Sequence, residues 1–281
     1  MMKVKFWGTR GSIPVPGQDT TMYGGNTTCL EISLESGRKI IIDAGSGIRA
    51  LGEALAHNEK GLDIHLLMTH IHWDHVLGFP FFAPLYDQGT KISVDGYSSC
   101  MKGLRFVFDN KLGDGFFPIK FIDLKAEIRY LKTLAQGPLI IDDVVIESIP
   151  LRHPQGGLGF RFREGNKSLV FITDNELPGG ESEECPEEYV RFCKDADILI
   201  HDAQYTPKEK AKRVGWGHSD CVAALNLALS AHVKRLILFH HDPSRKDPEV
   251  ASFKACCEGI ADKKKAEIQV DAAKEESEFV V

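Results

Sequence analysis

The chain lacks most features of a secreted, membrane-spanning or nucleic-acid-coating protein. Its first residues, Met1-Met2-Lys3-Val4-Lys5-Phe6-Trp7, enter a strand pattern directly, without the apolar block of a signal peptide. No apolar run approaches the ~20 residues of a membrane-spanning helix. Seven cysteines, an odd number without regular spacing, do not form a disulfide framework. The adjacent Cys256 and Cys257 read as core residues of a helix or, alternatively, as a redox-sensitive pair. A net charge of −6 supplies no basic field for a long nucleic acid. Internal repeats and linker segments are absent as well. These absences point to a cytoplasmic protein with no membrane partner, folded as a single domain over residues 1–281. With 43% apolar and 26% charged residues, the chain has ordinary material for one large core.

What is present is concentrated in Leu66-Leu67-Met68-Thr69-His70-Ile71-His72-Trp73-Asp74-His75, where a strand-like run ends in four metal-capable side chains. His70 and His72 are two apart, so an extended backbone projects them to the same side. Asp74 and His75 follow where the chain must turn. Imidazole suits zinc, iron and other first-row metals, and carboxylate adds a hard oxygen ligand. Such density suggests two adjacent ions, with His70 and His72 on one and Asp74 and His75 on the other.

The packet resembles the His-x-His-x-Asp-His signature of the metallo-β-lactamase superfamily, and later segments match that family's remaining motifs in order. The resemblance implies a four-layer αββα sandwich. It assigns His153 to the first metal site and His240 to the second, with Asp174 bridging both and Asp43 as a buried support. His241 is the neighbouring candidate for the second site. Independently of the family, His153, Asp174 and His240 each close or directly follow an apolar run. The cofactor expected is a pair of divalent ions, zinc first, with manganese or iron as alternatives.

Other stretches read as scaffold. Lys3–Trp7 is a first strand, Cys29–Leu34 and Lys39–Asp43 form a hairpin about Ser36-Gly37, and a helix follows Gly45-Ser46-Gly47 to about His57. The loops Gly8–Gly17 and Tyr23–Cys29 read as connections, or, by the resemblance, as borders of the site. Val76–Tyr86 is apolar and aromatic, a core segment or else a wall for a substrate base. Residues 98–125 carry a helix pattern and then a candidate lid at Gly113–Pro118. Leu139–Leu151 and Leu158–Ile172 are strands with turns at Asp142-Asp143 and Glu164-Gly165-Asn166. Glu278–Val281 is a closing strand. His57, His65 and His232 have no partners in sequence and read as structural or surface histidines.

Leu199-Ile200-His201-Asp202-Ala203 and Gly215-Trp216-Gly217-His218-Ser219 together resemble the His-Glu-Ala and His-Ser-Thr segments of ribonuclease Z. There an acidic residue orients a histidine that protonates the leaving oxygen. Asp202 and His218 take those places, with Asp for Glu, and Asp220 replaces the Thr. Long-type ribonuclease Z carries a basic arm between the segments matching His153 and Asp174, where this chain has only Pro154–Thr173. The missing arm and the acidic composition favour small phosphodiesters, such as cyclic nucleotides or cyclic phosphates, over tRNA. Arg152, Arg161 and Arg163 are candidate phosphate partners, the latter two being alternatively the exposed face of a strand. Asp74, Asp202 and His218 are thus the expected catalytic residues.

A lactone or thioester hydrolase of the same fold is the alternative enzyme, and a nucleotide sensor the non-catalytic one. A β-lactamase is disfavoured by the Asp202/His218 pair and by the N-terminus. A homodimer rests on the resemblance alone.

Overall fold

The computed structural model describes residues 1–58, 61–97, 118–119, 121–179 and 184–281. Among them two sheets of seven strands face each other. The first contains β1 (Lys3–Gly8), β2 (Cys29–Ser33), β3 (Lys39–Ile42), β4 (Asp63–Met68), β5 (Lys91–Gly96) and β6 (Glu127–Tyr130) in that spatial order. The second contains β7 (Leu139–Ile141), β8 (Val144–Pro150), β9 (Leu158–Glu164), β10 (Lys167–Ile172), β11 (Ile198–Asp202), β12 (Arg235–Phe239) and β13 (Gln269–Ala272), also in chain order. The last strand, β14 (Glu278–Val280), returns to the first sheet and pairs with β1.

The pairing mode changes at one place in each sheet. Pairing is antiparallel from β14 to β3 and parallel from β3 to β6. It is antiparallel from β7 to β10 and parallel from β10 to β13. Parallel neighbours need crossovers, which helices supply. These are α1 (Ile48–Asn58), α3 (Glu187–Cys193), α5 (Cys221–Ser230) and α6 (Asp247–Lys263), with the single turns α2 (Trp73–Val76) and α4 (Pro207–Lys210) beside the site.

Each central strand is apolar on both faces, as a strand covered on both sides must be. Along β10, Leu169 and Phe171 join the core between the sheets, while Val170 and Ile172 face the helices. Strand β12 divides likewise, with Ile237 and Phe239 inward and Leu236 and Leu238 outward. On the first sheet, Ile40 and Ile42 point inward and Ile41 packs beneath α1, which contributes Ile48, Leu51 and Leu55. Three apolar layers between four structural layers make the αββα sandwich that the motifs imply. Replacing Phe171, fully buried in the central layer, by Ala should cost about 3–5 kcal/mol.

The expected hairpins form, including the tight β9–β10 turn at Gly165, whose φ is +58°. Within Val76–Tyr86, Pro80 and Pro84 set two 3-10 turns, which bury Val76, Phe79, Phe82 and Leu85 against the outer face of the first sheet. Core packing accounts for that stretch, and only Phe81 of its aromatic rings is largely exposed. The helix expected after residue 98 and the candidate lid lie, apart from Pro118, outside the described residues. Among the described residues no helix is long and apolar enough to cross a membrane.

Candidate metal centre

The carboxyl ends of the parallel strands gather at one edge of the sandwich, where ligands bind in open α/β sheets. Asp43 follows β3, His70 follows β4, Asp174 follows β10, Asp202 ends β11 and His240 follows β12. Asp43, Asp174 and His240 have φ of +59°, +49° and +58°, a left-handed turn that redirects each side chain out of its strand. Asp and His tolerate this region better than branched residues do. The His70–His75 segment leaves β4 and closes into α2, with the His75 amide donating to the His72 carbonyl at 3.0 Å.

Among the described residues three groups of side chains have ligand-capable atoms within 4.8 Å of one another; one is Asp202, His218 and His240, and the other two carry the expected ligands. Of those two, the first is His70, His72, His153 and Asp174; the second is Asp74, His75, Asp174 and His240. Asp174 belongs to both because its oxygens part company. Oδ2 lies 3.7 Å from Nε2 of His70 and 3.7 Å from Nε2 of His153. Oδ1 lies 3.4 Å from Nε2 of His75 and 3.2 Å from Nε2 of His240. In the second group Asp74 Oδ2 is 3.3 Å from His75 and 3.2 Å from His240. A tetrahedron with zinc–nitrogen distances of about 2.0–2.1 Å has edges of roughly 3.3–3.4 Å. The spacing therefore fits a pair of cations sharing Asp174.

Hydrogen bonds on the far side of the rings aim their other nitrogens inward, the usual outer support of a metal ligand. His75 donates Nδ1–H to Asp43 Oδ2 at 2.8 Å. Thr69 donates its hydroxyl to the same Asp43 oxygen at 2.7 Å, which leaves its oxygen to accept His70 Nδ1–H at 3.0 Å. His153 donates Nδ1–H to the Gly217 carbonyl at 2.9 Å, and His72 donates Nε2–H to Gln155 Oε1 at 3.0 Å. His153 Nε2 and His72 Nδ1 then face each other at 2.9 Å with two lone pairs, an arrangement that a cation relieves. Nε2 of His70 and of His75 is buried without a hydrogen-bond partner among the described residues. The residues fit the group that the motifs imply.

Electrostatics agree. Asp174 is held well below the usual carboxylate range, against its burial, by the imidazoles of His240 and His75. His75 is raised well above the ordinary imidazole value, again against burial, by Asp74, Asp174 and Asp43. Three buried carboxylates around one ring mark a place built for positive charge. Burial pushes His70 and His153 down, so they stay neutral and able to ligate.

Beside these groups stands the pair read from the second motif. Asp202, fully buried, accepts His218 Nδ1–H at 2.8 Å. Against burial, Asp202 first and then Asp174 and Asp74 raise His218 to about 9. Its ring stacks on that of His240, centroids 5.1 Å apart. Ser219 joins the same framework, accepting the Leu177 amide at 3.0 Å and donating to the Asn175 carbonyl. Asp220, where the motif has Thr, instead caps α5 through the amides of Val222 and Ala223, both at 2.9 Å.

Every expected ligand thus lies at the centre, and His240 rather than His241 does so. His241 turns away, its Nε2 donating to the Ala273 carbonyl at 2.9 Å. The arginine expectation needs correction. Arg161 is engaged by the carbonyls of Phe192 and Lys194, at 2.7 and 3.0 Å, and Arg163 pairs with Glu147 at 3.0 Å. Both side chains sit along β9 away from the site, because the strand's face decides their direction. Arg152 reaches Glu188 at 2.7 Å on the surface. At the rim near His218, Arg213 lies 4.9 Å above the Tyr205 ring and 5.9 Å from Trp216.

Supporting residues escaped the sequence reading. Gln155 and the Gly217 carbonyl are two. The Ser12 amide, which donates to Asp74 Oδ2 at 2.7 Å, is a third. Gly11 is required where it stands, since a Cβ there would come within 2.4 Å of the His240 ring. Arg10 holds that loop, its buried guanidinium donating to the carbonyls of Gly24 (2.7 Å), Asp242 (3.2 Å) and Arg245 (2.7 Å). The glycine and its neighbours in Gly8–Gly17 carried the only local hint.

Comparison with known proteins places this architecture. A family model described as a β-lactamase superfamily domain matches residues 38–241. A ribonuclease Z of Clostridium tetani is 24% identical over 89% of this chain and 91% of its own. The metallo-β-lactamase fold protein YhfI from Bacillus subtilis has a TM-score of 0.73 at 16% identity, covering 99% of this chain and 98% of the other. A diphosphatase from the PhnP family has a TM-score of 0.70 at 16% identity, covering 100% of this chain and 98% of that one. With the family match extending over most of its length, the chain belongs to the β-lactamase superfamily and is an enzyme of its metal-dependent hydrolase class.

Proposed function

We propose that the protein hydrolyses small phosphodiesters, cyclic nucleotides or cyclic phosphates among them, at a centre of two divalent ions, zinc in the first instance. The observation that carries this reading is the division of Asp174 between two ligand groups with the Asp202–His218 pair at their side. His70, His72, His153 and Asp174 would hold one ion, and Asp74, His75, Asp174 and His240 the other. When bound, such a pair lowers the pKa of water and neutralises charge on phosphoryl oxygens. The rest of the reaction falls to the chain. Asp202 fixes His218 by its Nδ1, which leaves the remaining nitrogen to carry a proton to a departing alkoxide.

Small substrates are favoured by the β9–β10 hairpin, which fills the position of a tRNA-binding arm with a tight turn. The acidic net charge acts in the same direction. Cytoplasmic residence suits the free cysteines Cys29, Cys185, Cys193, Cys221 and Cys257.

The test is to load the protein with zinc, manganese or iron and screen cyclic nucleotides, linear phosphodiesters, precursor tRNA, lactones, thioesters and a β-lactam. Turnover of a small diester above all others is the expected result. Faster trimming of tRNA 3′ ends would defeat the small-substrate reading, and turnover confined to carbonyl substrates would defeat phosphodiester hydrolysis altogether.

A further inference from the structure

Glu176 lies two residues beyond Asp174 and takes no part in either ligand group, yet its carboxylate accepts three hydrogen bonds. Its Oε1 accepts the Gly215 amide at 2.8 Å and its Oε2 accepts the Gly217 amide at 2.7 Å. The ammonium of Lys210, itself only 5% exposed, closes on Oε1. The backbone amide of Glu176 donates to the Arg152 carbonyl at 2.8 Å, one residue before His153. Lys210 is in turn fixed at the end of α4, whose Thr206 and Glu209 cap each other at 3.2 and 2.8 Å.

We propose that Glu176, held by Lys210, is a positioning residue that clamps the Gly215–Gly217 loop and through it sets both His153 and His218. The route is short. Gly217 receives one Glu176 oxygen on its amide and offers its carbonyl to His153 Nδ1. The next residue is His218. A single carboxylate therefore fixes the outer partner of one metal ligand and the origin of the general acid. Gly217 has a φ of +86°, and a Cβ there would stand 2.1 Å from His153 Nδ1, so the loop approaches as closely as backbone can. Such a loop has no side chain to pack at that point, and charge-assisted bonds to its amides replace packing. Loss of the clamp lets the carbonyl drift, and with it the tautomer and aim of His153.

This inference deepens the two-ion reading and rests on it for its metal readout, so the experiment has a second readout that does not. Two full-length variants are compared with the wild type. Glu176→Asp keeps the charge facing Lys210 but is too short to serve both glycines. The double variant Glu176→Gln/Lys210→Met removes the pair together, so no buried ammonium is left alone. Amide hydrogen exchange is measured without added metal, and stepwise zinc binding is measured by calorimetry, with His153→Ala as the reference for the step that His153 governs. In both variants the amides of residues 213–218 should exchange at least ~10-fold faster, while those of β10 and β11 stay unchanged. The zinc step that His153→Ala weakens should weaken by about 10–100-fold, and the other step should move far less.

Unchanged exchange at 213–218 would overturn the clamp. So would acceleration across the whole chain with both zinc steps weakened alike, since that is loss of stability rather than of positioning. If the wild type took up fewer than two ions, the two-ion reading would fall, and the exchange comparison would still decide the clamp.

Discussion

The two halves of the molecule follow one pairing scheme, and their corresponding strands β3 and β10 end in the same way. Each is the strand at which antiparallel pairing gives way to parallel, and each is followed by an aspartate with positive φ, Asp43 and Asp174. Both carboxylates are buried. Their uses differ. Asp43 is satisfied by the Thr69 amide and hydroxyl and by His75, so it supports a ligand from behind. Asp174 accepts only the neighbouring Thr173 hydroxyl, at 2.6 Å among the described residues, and turns both oxygens toward the imidazoles of His70, His75, His153 and His240. The fold supplies a buried carboxylate at each switch from antiparallel to parallel pairing. The loops that arrive around it decide whether it becomes a hub or a brace.

Breaking the hub should have the largest effect. Asp174→Ala removes an oxygen from each ligand group, so elemental analysis should fall from about two ions per chain toward none, with activity lost. One group remaining fully occupied would show that the carboxylate is not shared. His218→Ala comes next. It should depress cleavage of diesters with alkoxide leaving groups by about 10²–10⁴-fold and bis(p-nitrophenyl) phosphate much less, at unchanged metal content. Equal losses on both substrates would make His218 a binding residue.

The same histidine predicts a pH dependence. A general acid must be protonated, so turnover of poor leaving groups should fall as pH rises through its pKa. Asp202 is the main group raising that pKa, hence Asp202→Asn should move the descending limb to lower pH. The cations displace both limbs, and the difference between the two enzymes is the quantity to measure. A limb that stays in place would sever Asp202 from the acid.

Breaking the brace should do less, and more to one ion than to the other. Asp43→Asn should weaken the ion held with His75, its direct partner, by about 10–100-fold, and the ion held with His70 by less, since Asp43 reaches that ring only through Thr69. Competition with a chromophoric chelator would resolve the two steps, and equal weakening would erase the contrast between the aspartates. Gln155→Ala removes only the partly exposed partner of His72. It should cost less than ~10-fold in affinity, an effect that the same titration can bound.

Much of this centre was legible because its ligands fall where strands stop. A run such as Val170-Phe171-Ile172-Thr173-Asp174 declares both its buried strand and the polar residue at its end. The packet at His70–His75 combined a strand end with a turn, and His153 and His240 followed apolar runs of the same kind. What could not be read were contacts made across the chain. Gly217 meets His153 through a carbonyl that every residue possesses, and nothing in the local pattern marks it. Arg161 and Arg163 failed for a related reason. Alternation placed them on one face of a strand, but only the packing of α3 and Glu147 revealed that this face looks away from the site. The apolar and aromatic content of Val76–Tyr86 foretold the burial of Phe79, Phe82 and Leu85.

Arg10 carries a consequence for the order in which the molecule is made. Its bonds to the carbonyls of Asp242 and Arg245 span 232 and 235 residues of chain, and the loop they secure brings Gly11 against His240. Nascent chains grow at about 5–20 residues per second, so His70–His75 leaves the ribosome roughly 10–30 s before that loop exists. During the interval three imidazoles and a carboxylate are presented together without His240 or its anchor. Neither ligand group is complete until later strands deliver His153, Asp174 and His240, so the centre closes only as the chain is finished.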